Sequence, residues 1–381
     1  MPFSGLSTSS MFTAGPLNAE DVARQIALLA PDETPVLDWL GDPDTFAANT
    51  VHEWLEEELR PNVLQTSTAL NSADVTATVA DFGDLLTVGT VLEYQSNGAM
   101  VQITSIVGVN SIRYSVNYGG SGHIPNSVAV GAELYIHWPL ALEGDDHPGR
   151  DVTRKRVRRS NYVSLFHLPV AISGTQLAVN PLGDGGNEMD HQKNLRLREA
   201  LRDLEKMTLV GRTSGNSIGS STAYRAANGL RPTISTVNST VTASSFAANP
   251  HLYIGDVMEQ AFKNGALDSE EWGIVAGRTY FRNISDMNDT KVQDSNASES
   301  FKRVIRNYQG PFGMMSVFMS RHIPATSALI FPRNRVKVVP LQGRSFYFKD
   351  IASTGDADKS LLIGEYTVEV HHQKAMAQLK S

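Results

Sequence analysis

One long amphipathic helix stands out in this chain of 381 residues. Its pattern runs from Glu188 to about Leu209, and Gly211 is a suitable C-terminal stop. The apolar stripe consists of Leu197, Leu201, Leu204 and Met207, and the charged remainder includes Arg198, Glu199, Arg202, Asp203, Glu205 and Lys206. At about 1.5 Å per residue this helix would be roughly 30 Å long, in a chain that is otherwise rich in strand patterns. The fold class is therefore predicted to be α+β.

Short alternating segments between Val75 and Trp138 predict a small all-β domain. The dipeptide Asn97-Gly98 separates two strand-like runs, which is a strong signal for a β-hairpin. Apolar and polar residues then alternate from Ile112 to Tyr118. Residues 75–138 are therefore predicted to form a compact β-barrel or β-sandwich.

A second amphipathic helix is predicted from Tyr253 to Ala266, and an alternating strand is predicted near the end of the chain. One face of that strand carries Tyr366, Val368 and Val370, and the other carries Glu365, Thr367 and Glu369. The alternation favours an antiparallel strand near the end of a globular domain.

The net charge of −7 hides an uneven distribution. Residues 1–60 are acidic, with Arg24 and Arg60 as their basic residues, whereas residues 150–159 are strongly basic. Three interpretations of the basic run remain open: a nucleic-acid contact, a contact with an acidic surface of a neighbouring subunit, or a solvated strand edge. The protein contact is favoured because the complementary acids lie in the same chain. The candidate inter-subunit residues are Arg150, Arg154, Lys155, Arg156, Arg158 and Arg159 together with Glu53, Glu56, Glu57 and Glu58.

A search for catalytic and ligand-binding motifs finds no convergent set. Neither a phosphate-binding loop nor a dinucleotide-binding glycine motif is present, and the chain has no cysteine. His52-Glu53 begins like a zinc-protease motif, but Glu56 replaces the second histidine, so a solvated strand or helix start is favoured. Adjacent His371 and His372 are expected to be exposed. No catalytic, cofactor or metal site is therefore predicted, and neither a signal peptide nor a membrane span is expected.

Four segments of the sequence resemble one family of viral structural proteins. These segments are Asp38–Pro43, Val51–Leu59, Asn228–Pro232 and the closing Thr354–Val370. They resemble the SU10-type branch of the Hong Kong 97-type major capsid proteins of tailed phages, in the family's order and over nearly the whole chain. The resemblance implies a peripheral domain with a long spine helix, an axial domain, an extended β-loop and an N-terminal arm, with the small all-β domain as an insertion.

The resemblance also implies a division of the chain with approximate boundaries. Residues 1–50 would form the arm and a short helix, 51–74 and 139–170 the extended-loop strands, 75–138 the inserted domain, 171–235 and 310–381 the peripheral domain with its spine helix at 188–209, and 236–309 the axial domain.

The implied function is that of a structural subunit that assembles into the icosahedral shell around a double-stranded DNA phage genome. The implied partners are copies of the same chain in hexamers and pentamers, with non-specific contacts to packaged DNA and no membrane contact. Portal, scaffolding or decoration proteins are further candidates. The implied location is the virion, after assembly in the bacterial cytoplasm. Two alternatives remain open: a bacterial nanocompartment shell protein of the same fold, and a phage tail or adhesion protein.

Overall fold

The computed structural model describes residues 34–42, 45–60, 62–68, 76–79, 86–115, 117–121, 129–144, 156–178, 188–213, 219–220, 222–235, 237–266, 270–287, 307–352 and 355–381. Residues 1–33 of the predicted arm and short helix lie outside these residues. The chain divides into a first unit, made of Met1–His52, Tyr162–Pro232 and Lys337–Glu369, and a second unit, made of Glu53–Asn161, Thr233–Val336 and Val370–Ser381.

The first unit is built on a four-stranded sheet whose strands are Ser164–Ser173, Val336–Pro340, Tyr347–Ile351 and Ala357–Val370. The closing strand, Ala357–Val370, pairs antiparallel with Ser164–Ser173, from Ala357 opposite Ser173 to Tyr366 opposite Ser164. Its helices are Pro35–Leu40, Gly174–Ala178, Glu188–Val210 and Leu230–Thr233. The long helix, Glu188–Val210, packs against Ser164–Ser173.

The long helix is confirmed, but its packed face differs from the predicted stripe. Its buried residues are Ala200, Leu204, Glu205, Thr208 and Leu209. Leu201, which was assigned to the stripe, is 37% exposed, whereas Glu205, which was assigned to the charged remainder, is 0% exposed. Burial of Glu205 requires hydrogen-bond donors to its carboxylate.

Both faces of the closing strand are buried, although its alternation is ordinarily that of a half-solvated strand. Thr367 and Val368 are 0% exposed, and Glu365 and Glu369 are below 10%. The hydroxyl of Thr367 donates to the carbonyl of Tyr162 at 2.9 Å, which satisfies one polar group of the strand.

The second unit contains a six-stranded sheet in the order Val237–Thr240, Ala377–Lys380, Ser327–Pro332, Trp272–Ala276, Gly313–Met319, Asn307–Gly310. Helices Ala243–Ala248, Pro250–Lys263 and Arg278–Met287 contribute to its core, which contains Phe246, Val257, Trp272 and Tyr280. The sheet joins strands that the predicted boundary at residue 310 had separated, because Gly313–Met319 and Ser327–Pro332 both pair with Trp272–Ala276. That boundary is therefore wrong.

The helix predicted at 253–266 begins and ends earlier, at Pro250 and Lys263. Proline fits the first turn of a helix, where its missing N–H is not needed. Beyond the helix end, Gly265 has φ of 93°, a conformation that a glycine adopts without a steric penalty.

The predicted all-β domain is a small barrel within the second unit. Its strands are Val63–Gln65, Thr76–Thr78, Thr90–Tyr94, Ala99–Ile106, Ser111–Ser115 and Glu133–Pro139. A bridge between Thr66 and Val79 joins the two edge strands, so the sheet closes into a barrel. The barrel begins before the predicted residue 75, because Val63–Gln65 pairs with Glu133–Pro139. The predicted hairpin at Asn97-Gly98 is confirmed.

The segment Asn228-Gly229 fits closely against the end of the long helix. The side-chain oxygen of Asn228 accepts the N–H of Thr213 at 2.9 Å, and the N–H of Gly229 donates to the carbonyl of Gly211 at 2.8 Å. A Cβ atom added at Gly229 would lie 2.4 Å from the carbonyl oxygen of Met207 and 2.7 Å from that of Thr208. Only glycine leaves room for this backbone contact.

The substitution Gly229→Ala should therefore destabilise the protein by about 1–3 kcal/mol, because the added methyl group meets backbone rather than a mobile side chain. Gly255→Ala is the matched control: it lies within helix Pro250–Lys263, and a Cβ there meets nothing within 4 Å. This control should be neutral or stabilising by roughly 0.5–1 kcal/mol. Denaturant unfolding of both variants tests the prediction, which equal stability of Gly229→Ala and the parent chain would contradict.

Candidate assembly interface

The candidate interface residues of the described ranges lie on or beside a two-stranded sheet, called the root sheet, made of Val51–Glu56 and Val157–Tyr162. The N–H of Val163 donates to the carbonyl of Thr50 at 2.9 Å. Further along, Glu53 pairs with Arg158 at 3.5 Å and Glu57 with Arg156 at 3.6 Å. Because the partners run in opposite directions along the chain, the two strands are antiparallel.

The ion pairs Glu53–Arg158 and Glu57–Arg156 are solvent-exposed, with side-chain exposures between 44% and 71%. They form within one chain, because antiparallel pairing places the acidic and basic segments side by side in the same subunit. The contact of these residues with a neighbouring subunit stays a prediction. The predicted residues Arg150, Arg154 and Lys155 lie outside the described residues.

Glu56 is the buried member of the root sheet, with 5% exposure. Its Oε1 accepts the indole N–H of Trp54 and the backbone N–H of His372, each at 3.0 Å. Its Oε2 accepts Nε–H of Arg159 at 3.4 Å. The carboxylate therefore joins both strands of the root sheet to the segment that follows the closing strand. The prediction of a solvated face was wrong at Glu56, since two of its donors, Arg159 and His372, come from remote parts of the sequence.

Two further contacts attach the segment after residue 370 to the acidic strand of the root sheet. The rings of His371 and Trp54 meet edge-on, with centroids 6.1 Å apart, and Nζ of Lys374 lies 3.1 Å from Oε2 of Glu58. His371 and His372 are half-buried rather than exposed as predicted. The next strand, Ala377–Lys380, belongs to the six-stranded sheet, so these contacts connect the root sheet to that sheet within the second unit.

In the first unit, buried glutamates also contact residues from distant parts of the sequence. Glu365, on the closing strand, accepts Nη2–H of Arg225 at 2.6 Å and Nε–H of Arg344. Glu369 on the same strand contacts Nε2 of His52 at 3.0 Å. These contacts bring together segments that are far apart in the sequence.

Glu205, on the long helix, also binds donors from a distant part of the sequence. Its Oε2 accepts the backbone N–H groups of Val36 at 3.0 Å and Leu37 at 3.3 Å. These donors lie in the first turn of the short helix Pro35–Leu40, where N–H groups have no partner within the helix. Glu205 therefore holds that helix against the long helix.

The groups with shifted pKa values do not converge on one site. Burial raises the pKa of Tyr308, whose hydroxyl lies 2.7 Å from Nδ1 of His251. A hydrogen bond from Lys193 lowers the pKa of the exposed carboxyl of Asp350. Across the described ranges, no three His, Asp or Glu side chains are grouped in a way that suits a metal ion. None of the helices in those ranges combines the length and apolar character of a membrane span.

Replacing Glu56 should destabilise the protein far more than replacing its neighbour. Glu56→Ala removes a buried acceptor from three donors and should cost about 2–4 kcal/mol. Glu57→Ala removes one exposed ion pair, which is worth at most about 1 kcal/mol. Denaturant unfolding compares the two variants, and similar losses would contradict the assigned role of Glu56.

Replacing Glu205 should release the helix Pro35–Leu40. In Glu205→Ala, hydrogen exchange at the amides of Val36 and Leu37 should become about tenfold faster, because these N–H groups lose their acceptor. Glu199→Ala, which changes an exposed residue of the same helix, should leave them unchanged. Unchanged exchange in Glu205→Ala would contradict the assignment.

Comparisons with known proteins match the sequence to one family and the fold to solved capsids. The sequence matches the family model described as SU10 major capsid protein over residues 7–381. No curated protein matches it. The fold is similar to the capsid of Myoviridae phage XM1, with 10% identity, a TM-score of 0.50 and coverage of 100% of both chains. It is also similar to the capsid of a native GTA particle, with 10% identity, a TM-score of 0.51 and coverage of 99% of both chains.

Proposed function

The chain belongs to the SU10 major capsid protein family, and we propose that its copies assemble into the closed icosahedral shell around a double-stranded DNA phage genome. The observation that carries this proposal is the family match, which covers residues 7–381 and therefore almost the whole chain. The protein has the Hong Kong 97-type α+β fold of phage capsids and is a structural capsid protein. We infer that it acts as a shell subunit and not as an enzyme.

We assign the parts of the capsid fold to the described elements. The first unit, with the long helix as its spine helix, corresponds to the peripheral domain. The six-stranded sheet and its helices correspond to the axial domain, and the root sheet corresponds to the extended loop. The barrel is the insertion in that loop, since the two strands of the root sheet precede and follow it in the chain.

The exposed face of the root sheet is the proposed inter-subunit surface. It presents the ion pairs Glu53–Arg158 and Glu57–Arg156, with Leu55 59% exposed between them in sequence. Exposed charges contribute little to the stability of the subunit itself, so they are available for contacts with a neighbour. A contact with a neighbouring subunit is also proposed for Arg150, Arg154 and Lys155, on the basis of their charge in the sequence.

The proposed partners are copies of this chain in hexamers and pentamers. Closed symmetric shells repeat moderate interfaces, each burying about 800 Å² per partner, over many subunits. The net charge of −7 limits indiscriminate binding to packaged DNA, so the contacts that we propose with DNA are weak and non-specific. Portal, scaffolding or decoration proteins complete the list of proposed partners. We place the protein in the virion, after assembly in the bacterial cytoplasm.

Electron microscopy and sizing of the purified protein test the proposed function. The expected result is capsomers or megadalton shells; nuclease-resistant DNA in particles from infected cells would separate a phage head from a nanocompartment. Fibres or tubes would favour the tail protein, and a stable monomer would contradict any shell.

Charge reversal on the root sheet should change assembly and its salt dependence. The double variant Arg156→Glu, Arg158→Glu places like charges beside Glu57 and Glu53, so shell yield should fall and rising salt should partly restore it. The double variant Arg278→Glu, Arg282→Glu makes the same change in net charge on the exposed face of a helix in the second unit and should assemble normally. Equal yields and equal salt profiles for the two would contradict the proposed surface.

A further inference from the structure

A short segment after the long helix is held firmly to the first unit. The guanidinium of Arg225 donates from Nη2 to the buried carboxylate of Glu365 at 2.6 Å and from Nε to the carbonyl of Val163. The N–H of Ala227 donates to the hydroxyl of Ser164 at 2.7 Å. Arg225 and Ala227 are therefore anchored to the first unit by contacts within the subunit itself.

Hydrogen bonds connect Ser220 to Thr222 and Ala223 at the start of this segment. The N–H of Ser220 donates to the carbonyl of Ala223 at 3.0 Å, and the hydroxyl of Ser220 accepts the N–H groups of Thr222 and Ala223. A Cβ atom added at Gly219 would lie 3.0 Å from Cβ of Arg225, so the turn packs closely on the anchored arginine.

Tyr224 projects from this fixed segment with 93% of its surface exposed. Its neighbours Thr222 and Ala223 are exposed and uncharged, and the charge of Arg225 is directed inward to Glu365. A tyrosine beside an anchored arginine and among small uncharged residues offers a large contact area at a low cost in conformational entropy. Tyrosine is also enriched among the residues that dominate binding energy at protein interfaces.

We propose that Tyr224 is an anchor residue for contact with a second copy of this chain. The inference rests on the proposed function, because a shell brings copies of the chain together. Two copies that each carry a charge of −7 repel one another, so a contact through an uncharged patch avoids placing like charges in the interface. The ring buries its apolar area against the next copy, and the contacts of Arg225 and Ala227 already restrict the backbone beside it, which lowers the entropy lost on binding.

Two measurements on the full chain test this inference. In the first, Tyr224→Ala should lower shell yield at a fixed protein concentration by at least about tenfold, while the unassembled subunit keeps the parent melting temperature. Tyr347→Ala, which removes a partly exposed ring from a strand of the same unit, is the matched control and should assemble like the parent.

In the second, p-benzoylphenylalanine replaces Tyr224 and the assembled particles are irradiated. A crosslinked product of twice the chain mass, absent from unassembled subunits, supports contact with a second copy. Crosslinks to a different protein alone, no crosslink, normal assembly of Tyr224→Ala, or an equal loss in Tyr347→Ala would each overturn the inference. If the unmodified chain does not associate, the proposed function and the inference both fail; if it assembles and Tyr224→Ala assembles equally well, only the inference fails.

Discussion

Buried carboxylates that bind donors from distant parts of the sequence are the constraint on which both units depend. Glu56 performs this role in the second unit, and Glu205, Glu365 and Glu369 perform it in the first. A carboxylate removed from water without partners is strongly unfavourable, so each glutamate is tolerated only when its donor segments are in place. The segments around each glutamate are therefore expected to become ordered together, and each unit gains a specific arrangement as well as stability.

Buried glutamates stabilise the subunit itself, whereas exposed charged residues remain available for contacts with neighbouring subunits. On the root sheet Glu56 is buried and fully engaged with its own chain, whereas Glu53 and Glu57 are exposed beside Arg158 and Arg156. A shell assembled from many copies needs subunits with a defined shape and contacts of moderate strength. The buried glutamates provide the first property, and the exposed face of the root sheet is proposed to provide part of the second.

Local patterns predicted the elements but not the buried charges. The periodicity of Glu188–Val210 and the turn at Asn97-Gly98 were sufficient for the long helix and the hairpin, because both depend on nearby residues. A periodic pattern places charged residues in solvent, so it gave Glu205 the wrong environment. Burial of Glu205 and Glu56 depends on donors such as Val36 and His372, which no local signal connects to them. The strand pairing that crosses residue 310 is non-local for the same reason.

A reconstruction of assembled particles at side-chain resolution tests the central claim most directly. In every subunit, Glu56 should accept hydrogen bonds from Trp54, Arg159 and His372 of its own chain, and neighbouring subunits should contact the face that carries Glu53 and Arg158. A structure in which Glu56 is exposed, or is bound by Arg159 of a different subunit, would contradict the claim that buried carboxylates define the subunit before assembly.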